Sequence, residues 1–524
     1  MKQEIINAQS SRSADSLVRA SRVQTFSRTG LSALLFAALL STGSAQTANP
    51  IPDRPEKLTF PPLTYEPPAP EQYRTPLKAG PIAYVVPDKE LPLVNIVVYV
   101  RTGEYLEPAG KEGLADLTGY LLARGGTKSK SAEDLEERLA FLAADLSSSV
   151  NETQGSVRLN LLSKDLDEGL AILREVLASP RFQNDKILLR KQQMLQAMQQ
   201  RNDDSSSIED REHGFLAFGE SFWANHYSTA KSVDAISPAD IAGFHKQWFW
   251  PSNFVVAVSG DFDRAKMVEK LETLFQSWPF TGQRPAPIPT NTVFAQPGIF
   301  IVDKDVNQGR VDLMLPGIKR DNPDYFSVII MNDILGGGGF TSRIMSRVRS
   351  DEGLAYDAHS SFPGGVYYPL TFTAGFQSKS RTVPYAASIV LDEIKKVCAE
   401  PVPDTELTNS KRGFIDRFPR TFSTKSQVAN TFAQDEFTGR YAKDPEFWKK
   451  YRSRLDAVGK DNVRQVANKY LTLDKLVILI VGQKDEILLG HPSHDVKLSQ
   501  LSKGPIKEVP LRDPLTMKPM EKPK

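Results

Sequence analysis

The order of apolar and polar residues along the chain predicts strands and helices in mixed succession. Residues 93–100 form a β-branched apolar run, and residues 156–161 alternate between polar and apolar, so each segment is predicted to be a strand. Between them, Ser131 resembles a helix cap, and leucines from Leu135 to Leu146 keep one apolar face. A second amphipathic helix is predicted from Leu166 to Leu177. This order favours an α+β fold over a doubly wound parallel sheet.

The second half of the chain repeats the pattern of the first. Residues 240–261 align without gaps on residues 462–483, and each segment reads as a helix with an aromatic end, a turn and an apolar strand. Residues 161–164 lead into a helix as residues 376–379 do. We therefore predict two homologous halves that form a clamshell. The predicted organisation is a signal peptide (1–45), a Pro-rich extended segment (46–70), a first α+β domain (71–285), a linker (286–298), a second α+β domain (299–502) and a loose tail (503–524).

The N-terminal segment has the composition of a secretory signal. Arginines precede an apolar run from Leu31 to Leu40, and the small residues Gly43 to Ala45 follow it. The apolar run is about half as long as a membrane-spanning helix, so no permanent membrane anchor is expected. We expect an exported protein, periplasmic if the source is a Gram-negative bacterium.

Charge and cysteine content exclude several classes of protein. The 65 Lys and Arg residues balance the 63 Asp and Glu residues, which argues against nucleic acid as a partner. The single cysteine, Cys398, excludes an intramolecular disulfide framework and a thiolate zinc cluster.

A direct search for catalytic motifs finds none. Among the six histidines, His491 and His494 form the one close pair, in a predicted loop. Gly336 to Gly339 lacks the Lys-Ser/Thr of a phosphate-binding loop and is predicted to be a flexible loop. A nucleophile elbow is absent, whereas a triad of scattered residues would leave no sequence signal.

The segment Gly113 to Thr127 resembles the inverted-zincin segment of the insulinase (pitrilysin-type) peptidase family, whose helix carries His-x-x-Glu-His. The positions of that motif hold Asp116, Gly119 and Tyr120 in this chain. The third ligand of the family, a glutamate, would fall near Gln196, where the chain has no carboxylate. The resemblance therefore implies a degenerate zinc motif, no metal and no catalytic residue in this chain.

The resemblance extends over nearly all of the predicted mature chain. Residues 250–261 resemble the segment that closes the first half of family members, and residues 335–356 resemble the glycine loop and following segment of the second half. In the family, two α+β halves form a clamshell, and four such halves, in one chain or two, enclose a chamber for extended peptides. An arginine and a tyrosine with the spacing of Arg349 and Tyr356 bind the substrate backbone and polarise the scissile carbonyl group from the half opposite the zinc.

The resemblance implies a non-catalytic subunit, as in heterodimeric members such as the mitochondrial-processing-peptidase-like proteins. The expected partner is a homologous subunit that carries the zinc, and the expected substrate is a peptide or unfolded polypeptide. A stand-alone peptide-binding or chaperone-like clamshell is the alternative. For Arg349 and Tyr356 the alternative is structural, with the arginine capping its helix or forming a salt bridge on it and the tyrosine in the core.

Overall fold

The computed structural model describes residues 53, 54, 57, 58 and 65–521. The predicted signal segment, residues 1–45, lies outside the described residues. The chain divides into two compact units, Met1–Pro62 and Leu63–Lys524, and the features below belong to the second unit.

The described part of the first half contains a six-stranded sheet with the order β1-β2-β6-β3-β5-β4. Strand β2 runs parallel to β6, and the other neighbours are antiparallel. The strands are β1 (Arg74–Pro76), β2 (Ile82–Pro87), β3 (Leu93–Val100), β4 (Asp145–Val150), β5 (Gly155–Leu162) and β6 (Phe254–Gly260).

Within the described residues, the second half also contains a six-stranded sheet, with the order β10-β12-β8-β13-β7-β14. Two further strands, β9 and β11, pair with each other in parallel. The strands are β7 (Gly298–Asp303), β8 (Gln308–Pro316), β9 (Ile318–Lys319), β10 (Ala355–Ser361), β11 (Gly364–Gly365), β12 (Thr371–Lys379), β13 (Val477–Gly482) and β14 (Ile506–Glu508).

Helices connect the strands in both halves. Those of the first half are α1 (Leu114–Arg124), α2 (Ala132–Phe141), α3 (Leu166–Ala178), α4 (Asn184–Gln199), α5 (Ser205–Phe218), α6 (Ala230–Ala235), α7 (Pro238–Trp248) and α8 (Arg264–Phe275). Those of the second half are α9 (Tyr325–Asn332), α10 (Arg343–Met345), α11 (Val383–Ala399), α12 (Asp404–Arg417), α13 (Lys425–Phe437), α14 (Arg440–Lys443), α15 (Phe447–Asp456), α16 (Lys460–Tyr470) and α17 (Lys484–Leu489).

The two sheets share one topology. The order β2-β6-β3-β5-β4 of the first sheet corresponds to β7-β13-β8-β12-β10 of the second, and both contain the same single parallel pair within these five strands. The predicted α+β fold with two homologous halves is thereby confirmed.

Each sheet buries one face against helices of its own half and the other face against a helix of the opposite half. Helix α13 covers the first sheet, where Phe432 packs with Tyr84 and Val255. Helix α5 covers the second sheet in the same way, with Ile208 packed against Val481 and its neighbours. Because each half contributes a helix to the other half's core, the two halves form a single compact unit.

The expected helix from Leu135 to Leu146 ends earlier than predicted. Ser131 caps α2 as expected, and its hydroxyl accepts a hydrogen bond from the backbone N–H of Asp134. The chain turns at Ala143, whose φ of 48° is in the left-handed region, and Leu146 belongs to β4. A turn at alanine carries no composition signal, which explains the error.

The C-terminal segment after Lys503 is tethered in the structure, contrary to the loose tail expected. Residues Ile506–Glu508 form β14 against β7. Further along, the side chain of Arg201 donates a hydrogen bond to the carbonyl oxygen of Pro514, and the N–H of Ala230 donates to that of Leu515. The segment therefore contacts both halves.

Across residues 53, 54, 57, 58 and 65–521, every helix is too short or too polar to cross a membrane.

Candidate functional site

The three positions of the degenerate zinc motif lie on α1. The carboxylate of Asp116 binds Arg190 of α4, and the Nη2–Oδ2 distance is 2.8 Å. The guanidinium of Arg190 also lies over the ring of Tyr120, 4.3 Å from its centroid, and Arg124 lies over the same ring at 4.7 Å. An ion pair and a stacked aromatic ring therefore occupy two of the positions where the family's motif has histidines.

The third motif position, Gly119, packs against the backbone of β4. A Cβ atom at this position would lie 2.2 Å from the backbone nitrogen of Val150, far closer than van der Waals contact allows. The hydroxyl of Ser148 donates a hydrogen bond to the carbonyl oxygen of Gly119, at 2.6 Å, and fixes this approach. The backbone thus leaves no room for the glutamate base that the family has here.

Gln196 lies on the exposed face of α4 and offers an amide in place of a carboxylate. The described part of the chain contains no group of three or more His, Cys, Asp or Glu side chains arranged to hold a metal ion. The donor set at the motif positions does not fit zinc, because zinc sites use imidazole, thiolate and unpaired carboxylate ligands.

The carboxyl group of Glu107 stabilises the N-terminus of α1. The N–H groups of Gly113 and Ala115 donate hydrogen bonds to the carboxylate of Glu107. Burial raises the pKa of Glu107 to about 8 and, together with the charge of Glu152, raises the pKa of Glu104 to about 7. Glu107 therefore serves as a helix cap and was not indicated by the sequence pattern.

Arg349 and Tyr356 lie side by side on the surface of the second half. Arg349 belongs to a π-helical turn, Ser346–Asp351, and Tyr356 is the second residue of β10. The guanidinium group lies 4.5 Å from the ring centroid of Tyr356 and 4.7 Å from that of Phe340. Tyr356 is 83% exposed and Phe340 is 67% exposed, so neither ring is part of the core.

This geometry differs from the structural alternative, which expected a buried tyrosine and a salt bridge or helix cap from the arginine. Arg349 makes no ion pair with a described carboxylate, and its guanidinium is stacked between two exposed rings. Phe340 was missed by the sequence interpretation, although its position just after four glycines would have indicated exposure. The two aromatic rings restrain Arg349 without consuming its hydrogen-bond donors.

The glycine run is more ordered than the flexible loop that was predicted. Its first part belongs to a π-helical turn, Asp333–Gly337, and a 3₁₀ turn, Gly339–Thr341, follows. A Cβ atom at Gly336 would lie 2.5 Å from the backbone nitrogen of Ser360, so the helical segment packs directly against β10. One π-helical turn thus contains Arg349 and another precedes it in the chain, a feature frequent at functional sites.

A groove of about 890 Å³ opens beside Arg349 and Tyr356. Helix α5 forms one wall, and strands β8, β10 and β12 form the other. The lining combines donors and acceptors, among them Arg310, Gln377 and Asp357. An extended peptide could therefore find partners for its backbone along this groove.

His213 of α5 connects the first half to the second sheet beneath the groove. Its Nδ1 atom lies 2.6 Å from Oδ2 of Asp312, and its Nε2 atom lies 3.1 Å from Oγ1 of Thr371. Burial alone would lower the pKa of His213, but the hydrogen bond and charge of Asp312 raise it above its ordinary value. This arrangement has the order of a nucleophile, a base and an orienting acid, yet Thr371 is buried and cannot reach a substrate. The chain of contacts therefore holds α5 in place.

The pair His491 and His494 lies in a loop, as predicted. The two rings are 4.6 Å apart, and His494 stacks on Tyr385 with a centroid distance of 3.8 Å. Stacking on an aromatic ring accounts for this pair.

The fold is that of a peptidase-type clamshell with two sheet-plus-helix halves. The family model described as Insulinase (Peptidase family M16) matches residues 85–214, and the model described as Peptidase M16 inactive domain matches residues 235–414. The two matches together span more than half of the chain. The chain belongs to the insulinase family.

Similar proteins agree with this assignment. An uncharacterized zinc protease of Mycobacterium tuberculosis is 26% identical over 276 residues, which cover 51% of this chain and 61% of the relative. The non-peptidase homolog YmxG of Helicobacter pylori is 27% identical over 354 residues, which cover 65% of this chain and 78% of the relative. The crystal structure of a peptidase M16 inactive domain from Pseudomonas fluorescens superposes with a TM-score of 0.70 and 23% identity, covering 78% of this chain and 97% of that chain.

Proposed function

We propose that this protein is a non-catalytic member of the insulinase family that pairs with a homologous zinc-bearing subunit and contributes Arg349 and Tyr356 to the partner's active site. The observation that carries the proposal is a contrast between the two halves. The motif positions on α1 are closed by the Asp116–Arg190 ion pair and by the contact of Gly119 with β4. The Arg349–Tyr356 pair is open to solvent.

The chemistry of the exposed pair suits stabilisation of an oxyanion. A guanidinium group and a phenol both donate hydrogen bonds, and both can reach a carbonyl oxygen that gains negative charge as water attacks. Arg349 is held between Phe340 and Tyr356, so little side-chain entropy would be lost when a substrate binds. The described residues contain no cluster of side chains that would hold a zinc ion, so the proposal places the metal-bound water on a partner.

Similar proteins support the proposal at a coarser level. One relative is named a non-peptidase homolog, and the matching family model of the second half is described as an inactive domain. The substrate in this proposal is a peptide or unfolded polypeptide enclosed between the two subunits. Export, with removal of a signal segment of about 45 residues, is part of the same proposal.

The test is purification of the native protein from its own cells, followed by identification of the proteins that elute with it. We expect a homologue with an intact His-x-x-Glu-His motif, and we expect the pair to cleave peptides in a chelator-sensitive manner while this chain alone does not. Recovery of the chain without such a homologue, still able to hold peptides, would contradict the proposal.

That outcome would favour the second candidate, a stand-alone peptide-binding clamshell. The observation in its favour is the groove of about 890 Å³, which this chain forms by itself. If the isolated chain binds peptides with the same affinity in the presence and absence of the partner, this second candidate is favoured.

A further inference from the structure

A second cavity, of about 350 Å³, lies between the two halves and the linker. Arg101 and Tyr105 line it from the first half, and Tyr367 and Phe437 line it from the second. Residues 285–288 of the Pro-rich linker close one side. The cavity is separate from the groove beside Arg349, with which it shares no lining residue.

The cavity is lined by hydrogen-bond donors that lack acceptors. The guanidinium group of Arg101 makes one hydrogen bond, from Nη1 to the carbonyl oxygen of Phe437 at 2.6 Å, and no ion pair with any described carboxylate. Within the described residues, the hydroxyl groups of Tyr105 and Tyr367 donate to no other group. Arg101, Tyr105 and Tyr367 are all partly exposed, so their free donors can bind water or a ligand that supplies an acceptor.

Arg101 binds the C-terminal end of α13, and this contact uses only part of its hydrogen-bonding capacity. Phe437 is the last residue of α13, and Arg320 donates a hydrogen bond to the next carbonyl oxygen, that of Thr438. The two arginines thus face the negative end of the helix dipole. A guanidinium group has five N–H donors, and the contact with Phe437 uses one of them.

The electrostatic surroundings favour an anion. Burial lowers the pKa of Arg101, and the positive charge of Arg284 acts in the same direction. Burial raises the pKa of Tyr105 to about 12, so its hydroxyl stays a donor at neutral pH. The nearest carboxylate that affects Arg101, Glu436, is already held by Arg74 at 2.8 Å.

We infer that this cavity binds the α-carboxylate group of a peptide, with Arg101, Tyr105 and Tyr367 as its donors. A carboxylate accepts several hydrogen bonds in one plane, which suits a guanidinium group with two flanking hydroxyls. The volume admits a single terminal residue and not a folded domain. The inference deepens the proposed function, because it gives the peptide chamber a preference for chain ends.

The test uses the isolated mature chain and a fluorescein-labelled peptide of one sequence, prepared with a free C-terminal carboxylate and as the C-terminal amide. We expect fluorescence anisotropy to show that the free acid binds about tenfold more tightly than the amide, since a charge-assisted hydrogen bond is lost with the amide. Equal affinities, or no binding of either peptide, would overturn the inference. N-Acetylleucine should compete only weakly, and competition as strong as that of the free-acid peptide would assign the site to small carboxylates instead.

Two variants separate binding from folding. Tyr105→Phe and Tyr367→Phe remove only hydroxyl groups that have no partner among the described residues, so melting temperature should not change while the preference for the free acid falls. Arg101→Gln should abolish the preference, and Arg412→Gln, an exposed arginine on α12, is the matched control. A preference that survives in both tyrosine variants and in Arg101→Gln would overturn the inference. None of these measurements involves the partner or peptide cleavage, so failure here leaves the proposed heterodimer untouched.

Discussion

Arg190 of α4 binds Asp116 of α1 through Nη2–Oδ2 contact at 2.8 Å, at the first position of the degenerate zinc motif. The same guanidinium group covers Tyr120, at the last position of the motif. These contacts join α1 and α4 at the positions that resemble the zinc motif of the family. The side chains at these positions therefore stabilise the packing of α1 on α4.

Restoring the motif should not restore a zinc peptidase. In a variant with Asp116→His, Gly119→Glu, Tyr120→His and Gln196→Glu, we expect less than one zinc per chain by metal analysis, because Gly119 has no room for a side chain. Stoichiometric zinc with chelator-sensitive cleavage would contradict this expectation and would show that β4 can shift to accommodate a side chain at position 119.

The contact of Gly119 with β4 can be measured by itself. Gly119→Ala should lower the free energy of unfolding by about 1–3 kcal/mol, the usual cost of overpacking. Gly243→Ala is the control, since a Cβ atom at this helical glycine meets no atom within 4 Å and should be neutral or slightly stabilising. If both variants have similar unfolding midpoints in urea, the close approach of Gly119 to the backbone of β4 is contradicted.

His213 should make the free energy of unfolding fall as pH rises above the ordinary pKa of histidine. The pKa of His213 is raised in the folded state, so the stabilisation by Asp312 is fully present below the unfolded pKa of about 6.5 and is lost as pH rises through the folded pKa. We expect urea unfolding to show a larger loss in the wild type than in His213→Gln, where the raised pKa values of Glu104 and Glu107 still make stability fall as pH rises. Measurements should stay above about pH 6.5, because burial lowers the pKa of His245 to about 4, which removes stability as pH falls. Identical pH profiles for the two proteins would argue against the contact.

The C-terminal segment should contribute to the stability of the whole unit through Arg512. Its Nε atom lies 3.4 Å from the buried carboxylate of Glu212, and its guanidinium group lies 4.1 Å from the ring centroid of Phe215. Arg512→Met should lower the free energy of unfolding by about 3 kcal/mol. This value is at the lower end of the range for breaking a buried ion pair, because Arg211 still binds Glu212. Lys518→Met, an exposed change in the same segment, should have little effect. A loss below about 0.5 kcal/mol for Arg512→Met would mean that the segment is not a tether.

Much of the fold could be predicted because local patterns agree with tertiary structure. The β-branched run at residues 93–100 is β3, and Ser131 caps α2. The exchange of α5 and α13 between the halves could not be predicted, because which sheet a helix covers is decided by contacts far apart in the chain. Arg190 was missed for the same reason, as it is 74 residues from Asp116.

The central claim is that the exposed donors of the second half act on a partner's substrate, and variants of Arg349 and Tyr356 test it. Because Tyr356 is exposed and Arg349 lies between surface rings, Arg349→Ala and Tyr356→Phe should leave melting temperature and assembly unchanged. Arg347→Gln, a neighbouring surface arginine paired with Asp351, is the control.

The decisive measurement is peptide turnover by the heterodimer reconstituted from the zinc-bearing partner and each variant. The account predicts that Arg349→Ala or Tyr356→Phe lowers turnover by about 10²–10³, the usual cost of one oxyanion donor, while Arg347→Gln retains wild-type turnover. Turnover within about twofold of wild type in both variants, with the complex fully assembled, would contradict it.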